Sequence, residues 1–299
     1  MKAIQIAHTR AALDRNSELR TKPELLAKHW ENGKIIHLSN QRFATESTSL
    51  KYFKAKEIEK LHVNFQNGLK IFLGTLDNEA FFAYCTDVKS TYEEAFSSDA
   101  TYLNLRELDG KLNQFELSIA VHGQAISNWH HSHPRCSKCG DTTTPTAGGS
   151  MRVCDSKGDE HFPRTDPAII VLLRDPADRI ILGRQKVWPV NRFSCFAGFV
   201  EAGESFEETV EREILEEAGV GTSEITYLGS QAWPFPASLM ISFSAVTNTP
   251  ELVKPDGEEI EEIRVLSRKE FEEQVASEKL LLPPMISVAR KMIEAWRKA

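Results

Sequence analysis

The sequence predicts a mixed, α+β chain in three parts. An α/β/α sandwich covers residues 166–299, a small mixed α/β domain covers 1–130, and a zinc-ribbon-like segment covers 131–165. Three observations predict this. Beyond Pro167, short apolar runs of strand length surround one strongly capped helix and lead to two terminal helices. Before it, Cys136-Ser-Lys-Cys139-Gly140 forms a knuckle, with Cys154 fourteen residues further on. Ahead of the knuckle, strand-like runs alternate with turn residues.

In the first part, Lys34–Leu38, Leu69–Gly74 and Ala80–Tyr84 read as strands, the latter two joined as a hairpin through Thr75–Glu79. A helix near Glu116–Trp129 carries apolar Leu117, Ile119, Ala120, Ile126 and Trp129 into the knuckle. Cys136, Cys139 and Cys154 offer three zinc thiolates, but Lys157 stands where a fourth Cys would close the site. His161, His133, His131 or water would have to complete it. Without metal, the ribbon would keep its shape by packing around Phe162 and the Gly148-Gly149 turn. Cys85 and Cys195 sit in apolar contexts and read as core.

In the last part, Ala168–Leu173, Arg179–Leu182, Phe193–Phe199, Leu239–Val246 and Ile263–Leu266 read as strands. Ser205 followed by Glu208 is a capping box that starts a helix near Phe206, and Gly219 is placed to end it. At about 100° per residue, Phe206, Val210, Ile214 and Ala218 form one apolar stripe, and Glu213, Glu216 and Glu217 share the neighbouring arc. Three close anions repel one another and call for a cation, and hard oxygen donors suit Mg²⁺ or Mn²⁺. Gly198 and Gly203 suit a tight loop entering the helix, fixed to it by an Arg212–Glu204 pair.

From Gly198 to Val220 the spacing reads G-x5-E-x7-R-E-U-x-E-E-x-G-U, where U is aliphatic. This resembles the Nudix box with every fixed position filled. Downstream, Ser230-Gln231-Ala232-Trp233-Pro234-Phe235-Pro236-Ala237-Ser238 resembles the SQPWPFPxS array of the NADH pyrophosphatase (NudC-type) branch, with Ala232 in place of a Pro. Two prolines would hold Trp233 and Phe235 extended, as flat surfaces for a nicotinamide or adenine ring. Glu258–Val265 resembles the family's E-I-x-x-A-R-W segment and selects Glu259 as a distal metal ligand, with Glu258 one residue away as the alternative. Ser287–Arg290 resembles a family stretch in which the backbone of the residue at Ala289 touches substrate. His161–Pro167 resembles the junction whose aromatic, here Phe162, stacks on substrate. Arg106 resembles an arginine that contacts phosphate.

The resemblance therefore implies catalytic Glu213, Glu216 and Glu217. It implies Mg²⁺ or Mn²⁺ held at Ala197, Glu213, Glu216, Glu217 and Glu259. Substrate would meet Arg106, Phe162, Gln231 through Ser238, and Ala289. It also implies a homodimer that hydrolyses NAD(H) to nicotinamide mononucleotide and AMP and removes the NAD cap from RNA 5′ ends. The alternatives are another nucleoside diphosphate derivative such as ADP-ribose as substrate, or a non-catalytic nucleotide-binding regulator.

A net charge of −7 gives no global basic field for long nucleic acid. The apolar runs are too short to span a membrane. Met1-Lys-Ala-Ile-Gln lacks a signal-peptide core, and five cysteines with a knuckle fit a reducing compartment, so the expected location is cytoplasmic.

Overall fold

A computed structural model describes residues 13–62, 68–86 and 100–299; the segment read above for targeting lies outside them. The chain divides into two compact units. Of the described residues, one comprises Asp166–Trp233 and Ser238–Ala299; the other comprises those from 13 to 165 together with Pro234–Ala237.

The amino-terminal unit contains helices α1 (Ser17–Arg20), α2 (Pro23–Asn32), α3 (Ala55–His62) and α4 (Gln114–Ser132). Its main sheet is built from β1 (Lys34–Ser39), β2 (Arg42–Glu46), β3 (Ser49–Leu50), β4 (Tyr52–Phe53), β5 (Leu69–Leu76), β6 (Glu79–Thr86) and β7 (Thr101–Asn104). The order is β3-β2-β1-β6-β5, with β4 on β1 and β7 on β2, and only β1–β6 is parallel. The β5–β6 hairpin closes through Asp77 and Asn78, both at positive φ, the conformation that matches the twist of the flanking strands. Helix α4 lies close on the sheet because it carries Gly123 there. A Cβ at Gly123 would already touch Ala83, Ile36 and Leu73 at 3.4–3.9 Å. Four of the sheet's strands carried too weak a pattern to be read in the sequence: β2, β3, β4 and β7 have two to five residues each.

The ribbon adds β8 (Thr143–Thr146), β9 (Met151–Cys154) and β10 (Glu160–His161), ordered β10-β9-β8. Its two loops have the same geometry. Cys136 N–H donates to Asp141 O and Gly140 N–H to Cys136 O; Cys154 N–H donates to Asp159 O and Gly158 N–H to Cys154 O. Both glycines have positive φ. Lys157 thus occupies the place of Cys139 in an intact second knuckle. The ribbon does not pack around Phe162, which is 65% exposed. It docks instead through Gly148 and Gly149, which abut Phe72, Leu26 and the Lys70–Ile71 backbone. His130 joins in, bonding Gly149 O at 2.7 Å and Arg152 at 2.8 Å.

The carboxy-terminal unit is an α/β/α sandwich. Its strands are β11 (Asp166–Arg174), β12 (Ile180–Gln185), β13 (Phe196–Phe199), β14 (Ser223–Trp233), β15 (Ser238–Val246) and β16 (Ile260–Leu266), ordered β14-β15-β11-β12-β16 with β13 on β11. Alternate residues of β11 feed opposite faces, as a pleated strand must. Ile169, Val171 and Leu173 meet Val210, Ile214 and Ala218 of α5 (Phe206–Ala218). Ile170 and Leu172 meet Phe271 of α6 (Arg268–Ala276) and Met292, Ile293 and Trp296 of α7 (Val288–Lys298). The predicted stripe on α5 loses its first member: Phe206, at the first helical position, is 41% exposed and lies short of the sheet.

Candidate active site

Helix α5 is fixed at both ends. Ser205 Oγ accepts from Glu208 N–H while the Glu208 carboxylate accepts from Ser205 N–H, and Gly219 ends the helix at φ 72°. Arg212 projects beside it as a hub. Its guanidinium donates to both Glu204 oxygens (2.6 and 2.9 Å), to Phe199 O, to Glu213 at 2.8 Å and to Glu216 at 3.1 Å. That bonding pushes the Glu204 carboxyl down to about 2, chiefly through the Arg212 hydrogen bonds. The entering loop is thereby tied to the helix, and two of the three acids are oriented.

Glu217 has no such partner. It is 3% exposed, and its Oε2 makes no hydrogen bond within the protein. Burial pushes its carboxyl up to about 8, with further upward pressure from Glu259, Glu213 and Asp256, against one N–H from Ala197. Glu213 is also raised, by burial first, with Arg212 opposing and Glu216 and Glu259 adding to it. Gly198 makes room for Glu213: a Cβ there would overlap its carboxylate. Of the two candidate distal acids, Glu259 is among the groups that raise both Glu213 and Glu217. Gln185 at the end of β12 holds Glu259 at 2.6 Å.

Glu217 and Ala197 line a cavity of about 150 Å³ with Gln185, Trp188, Trp233 and Ala289. A buried, orphaned carboxylate oxygen among mutually repelling acids fits a hard divalent cation; that donor set passes the chemical test for Mg²⁺ or Mn²⁺. The acids are spread more widely than the thiols. Cys136, Cys139 and Cys154 are the one group of described residues whose ligand atoms all lie within 4.8 Å of one another. Cys139 and Cys154 are 3.6 Å apart at sulfur, and the Cys154 thiol is drawn down to about 7, first by the Lys157 N–H. The three thiols suit zinc, one ligand short of a closed site. His131, His133 and His161 do not join them.

The aromatic motif differs in shape from its reading. It is not an extended loop. Ala232 and Trp233 finish β14, pairing with Leu239 and Ser238 of β15, and Pro234–Ala237 make the turn, with a cis Phe235–Pro236 bond. Asn128 of α4 clamps that turn, donating to Pro234 O at 3.1 Å and Pro236 O at 2.9 Å. The Arg106 guanidinium lies 4.8 Å from the centre of the Phe235 ring. Gln231 is buried and its amide is committed: it donates to Ile286 O and accepts from Val288 N–H, both at 2.8 Å. It holds the start of α7, where Ala289 N–H is capped by Ser287 Oγ.

Sequence reasoning missed Asp256, Gln185, Trp188 and Asn128. Asp256 had a signal, the Pro-Asp-Gly turn, in which it caps Glu259 N–H and Ile260 N–H. The others come together only through strand register and tertiary packing.

Comparison with known proteins agrees with this geometry. A family profile described as NUDIX domain matches residues 164–287, and one described as NADH pyrophosphatase-like rudimentary NUDIX domain matches residues 32–129. The chain is 35% identical to a protein of Mycobacterium tuberculosis named NAD-capped RNA hydrolase NudC, over 96% of this chain and 93% of that one. It is also 35% identical to a mitochondrial NAD(P)H pyrophosphatase of Mus musculus, over 66% of this chain and 59% of that one. A Nudix hydrolase structure from Nitrosomonas europaea aligns with 46% of this chain and 78% of its own, at 21% identity and a TM-score of 0.39. With both profiles and a near full-length relative pointing the same way, the chain belongs to the Nudix hydrolase family, in its NADH pyrophosphatase branch.

Proposed function

We propose that the protein is a divalent-metal-dependent pyrophosphohydrolase that cleaves NAD(H) to nicotinamide mononucleotide and AMP and removes the NAD cap from RNA 5′ ends. The observation that carries this is Glu217: buried, without a partner for Oε2, and repelled by Glu213 and Glu259. Such a group is unstable alone and is explained by a cation. Glu213, Glu216, Glu217 and Glu259, with the Ala197 backbone, would hold Mg²⁺ or Mn²⁺. When bound, the metal would neutralise the diphosphate oxygens and lower the pKa of a water.

The chain's own residues do the rest. Arg212 orients Glu213 and Glu216 and anchors the loop at Glu204. Glu213, Glu216 and Glu217 are the carboxylates placed to accept a proton from water. Trp233, in the same cavity as Glu217, offers a face for a ring, and Gln231 positions the Ala289 backbone through α7. Phe162 and Arg106 complete the substrate set, with the Pro234–Ser238 turn. The parts act as residues 1–130, 131–165 and 166–299, with zinc on Cys136, Cys139 and Cys154, in a cytoplasmic homodimer.

The test is direct. Incubation with Mg²⁺ or Mn²⁺ and either NADH or NAD-capped RNA should release nicotinamide mononucleotide, identified by mass. NADH should be turned over faster than ADP-ribose; equal rates would remove the nicotinamide assignment. Glu217→Gln should lose turnover by roughly a hundredfold or more while still binding nucleotide. Wild-type activity in that variant would remove the metal face from the mechanism.

A further inference from the structure

A second cavity, of about 470 Å³, opens in the amino-terminal unit between Arg42, Asn104, Arg106, Gln124, Phe235 and Pro236. Most of its polar groups are already spent. Asn104 Oδ1 accepts from the backbone N–H groups of Arg106 and Glu107, and Arg42 donates to Tyr102 O and pairs with Glu107. Two groups remain. The Arg106 guanidinium rests over Phe235 and has no carboxylate partner among the described residues. Gln124 is 1% exposed, and its Oε1 has no hydrogen-bond partner.

The orientation of Gln124 is forced by its neighbours. Asn128 Nδ2 donates to the Pro234 and Pro236 carbonyls, which can only accept. Asn128 must therefore present Oδ1 to Gln124. Gln124 must answer with Nε2, which it does at 3.3 Å, leaving Oε1 as the end without a donor. A flip of Asn128 would set donor against donor, and a flip of Gln124 acceptor against acceptor. A buried acceptor without a donor is costly. The wall of this cavity thus carries one unmet acceptor and one cation without a counter-ion. A ligand with an N–H donor and a negative charge answers both.

We infer that Gln124 is a specificity-determining residue that accepts a hydrogen bond from an amino group on one ring of the dinucleotide, while Arg106 meets phosphate. The inference rests on the NAD(H) reading above. Two groups of that substrate share the required chemistry, the adenine amino group and the nicotinamide carboxamide, and the experiment separates them.

Measure kcat/KM with NAD, with its hypoxanthine analogue (adenine amino replaced by oxo) and with its nicotinic acid analogue (carboxamide replaced by carboxylate). Use the wild type, Gln124→Met and Gln124→Glu. The wild type should disfavour one analogue by roughly tenfold or more, and that analogue names the end recognised. Gln124→Met should lose a similar factor on NAD and none on that analogue, erasing the preference. Gln124→Glu keeps an acceptor but turns a carboxylate oxygen against Asn128 Oδ1, so it should retain the preference at a lower kcat/KM on all three substrates. The assignment is overturned if the wild type treats both analogues as it treats NAD. It is equally overturned if Gln124→Met lowers all three substrates alike, since that is the signature of a structural role. Absence of any wild-type NAD turnover would be a failure of the reading of function itself, visible before a variant is made, and would take this assignment with it.

Discussion

Glu217 is where stability and function oppose each other most sharply. An acid whose folded pKa is raised binds an extra proton in the folded state between its unfolded value, near 4.5, and about 8. Its contribution to stability is therefore full below about 4.5 and is lost as pH rises through 8. Glu217→Gln removes that penalty. At pH 8.5 without divalent metal, the variant should melt roughly 2–6 °C above the wild type, read by calorimetry, while its turnover is lost. A variant that melts lower would mean that Glu217 is stabilised by contacts other than a cation. Gly198 gives a second test. Its backbone is not in the left-handed region, so Ala fits the main chain, but the added Cβ overlaps the Glu213 carboxylate. Gly198→Ala should cut kcat by roughly a hundredfold with little change in melting temperature. Both acids were legible in the sequence because helical spacing fixes which residues share an arc. Gln231 was legible as part of the motif but not in its role: its amide serves the backbone of Ile286 and Val288, 55 and 57 residues away. That distance in sequence leaves no local trace.

Local chemistry decides how well each element could be read. Both ends of helix α5 could be placed from the sequence, because a capping box and a left-handed glycine are short-range devices. The Trp233–Pro236 turn was misjudged because strand pairing of Ala232 and Trp233 with Leu239 and Ser238, which lie further along the chain, bends the segment back. The ribbon falls between the two. Its knuckles follow from Cys-x-x-Cys-Gly and from the matching glycine after Lys157, but the docking of Gly148 and Gly149 on the sheet does not. Because the second knuckle keeps its backbone, a thiol at 157 should fall where a fourth ligand belongs. Lys157→Cys should hold zinc through dialysis against a chelator concentration that strips the wild type, and its cobalt form should show the absorption of a four-thiolate site. Equal loss from both proteins would show that the loop at 157 does not reach the metal.

For the whole molecule, the two units should answer pH with opposite signs. The amino-terminal unit holds three histidines as neutral rings, His37 and His130 buried and His122 half-buried: His37 and His122 are pushed down to about 3 and His130 to about 4, each chiefly by loss of solvent. His37 is held by Tyr102 Oη at 2.6 Å and Thr86 Oγ1 at 3.0 Å, and His130 by Gly149 and Arg152. Unfolding frees these rings to titrate near 6.5. Between the folded values and 6.5 the unfolded chain binds more protons, so stability from these groups is full above about 6.5 and is lost as pH falls towards 3–4. Glu217, in the other unit, acts in the reverse direction over the range from 4.5 to 8. Calorimetry should resolve this. From pH 7.5 to pH 5 the transition of the amino-terminal unit should drop by roughly 5 °C or more, insensitive to Mg²⁺. From pH 7.5 to pH 9 without metal the transition of the carboxy-terminal unit should drop, and Mg²⁺ should restore it by linkage. His37→Asn should flatten the acid limb alone. A midpoint unmoved between pH 7.5 and pH 5, or Mg²⁺ protection confined to the acid limb, would contradict this distribution of buried charge. The sign of each limb follows from which side chains the fold buries, and for the histidines no motif announces it. His37 and His122 lie in strand and helix patterns that read as ordinary, and only the sheet order and the close seat of α4 take their rings out of water.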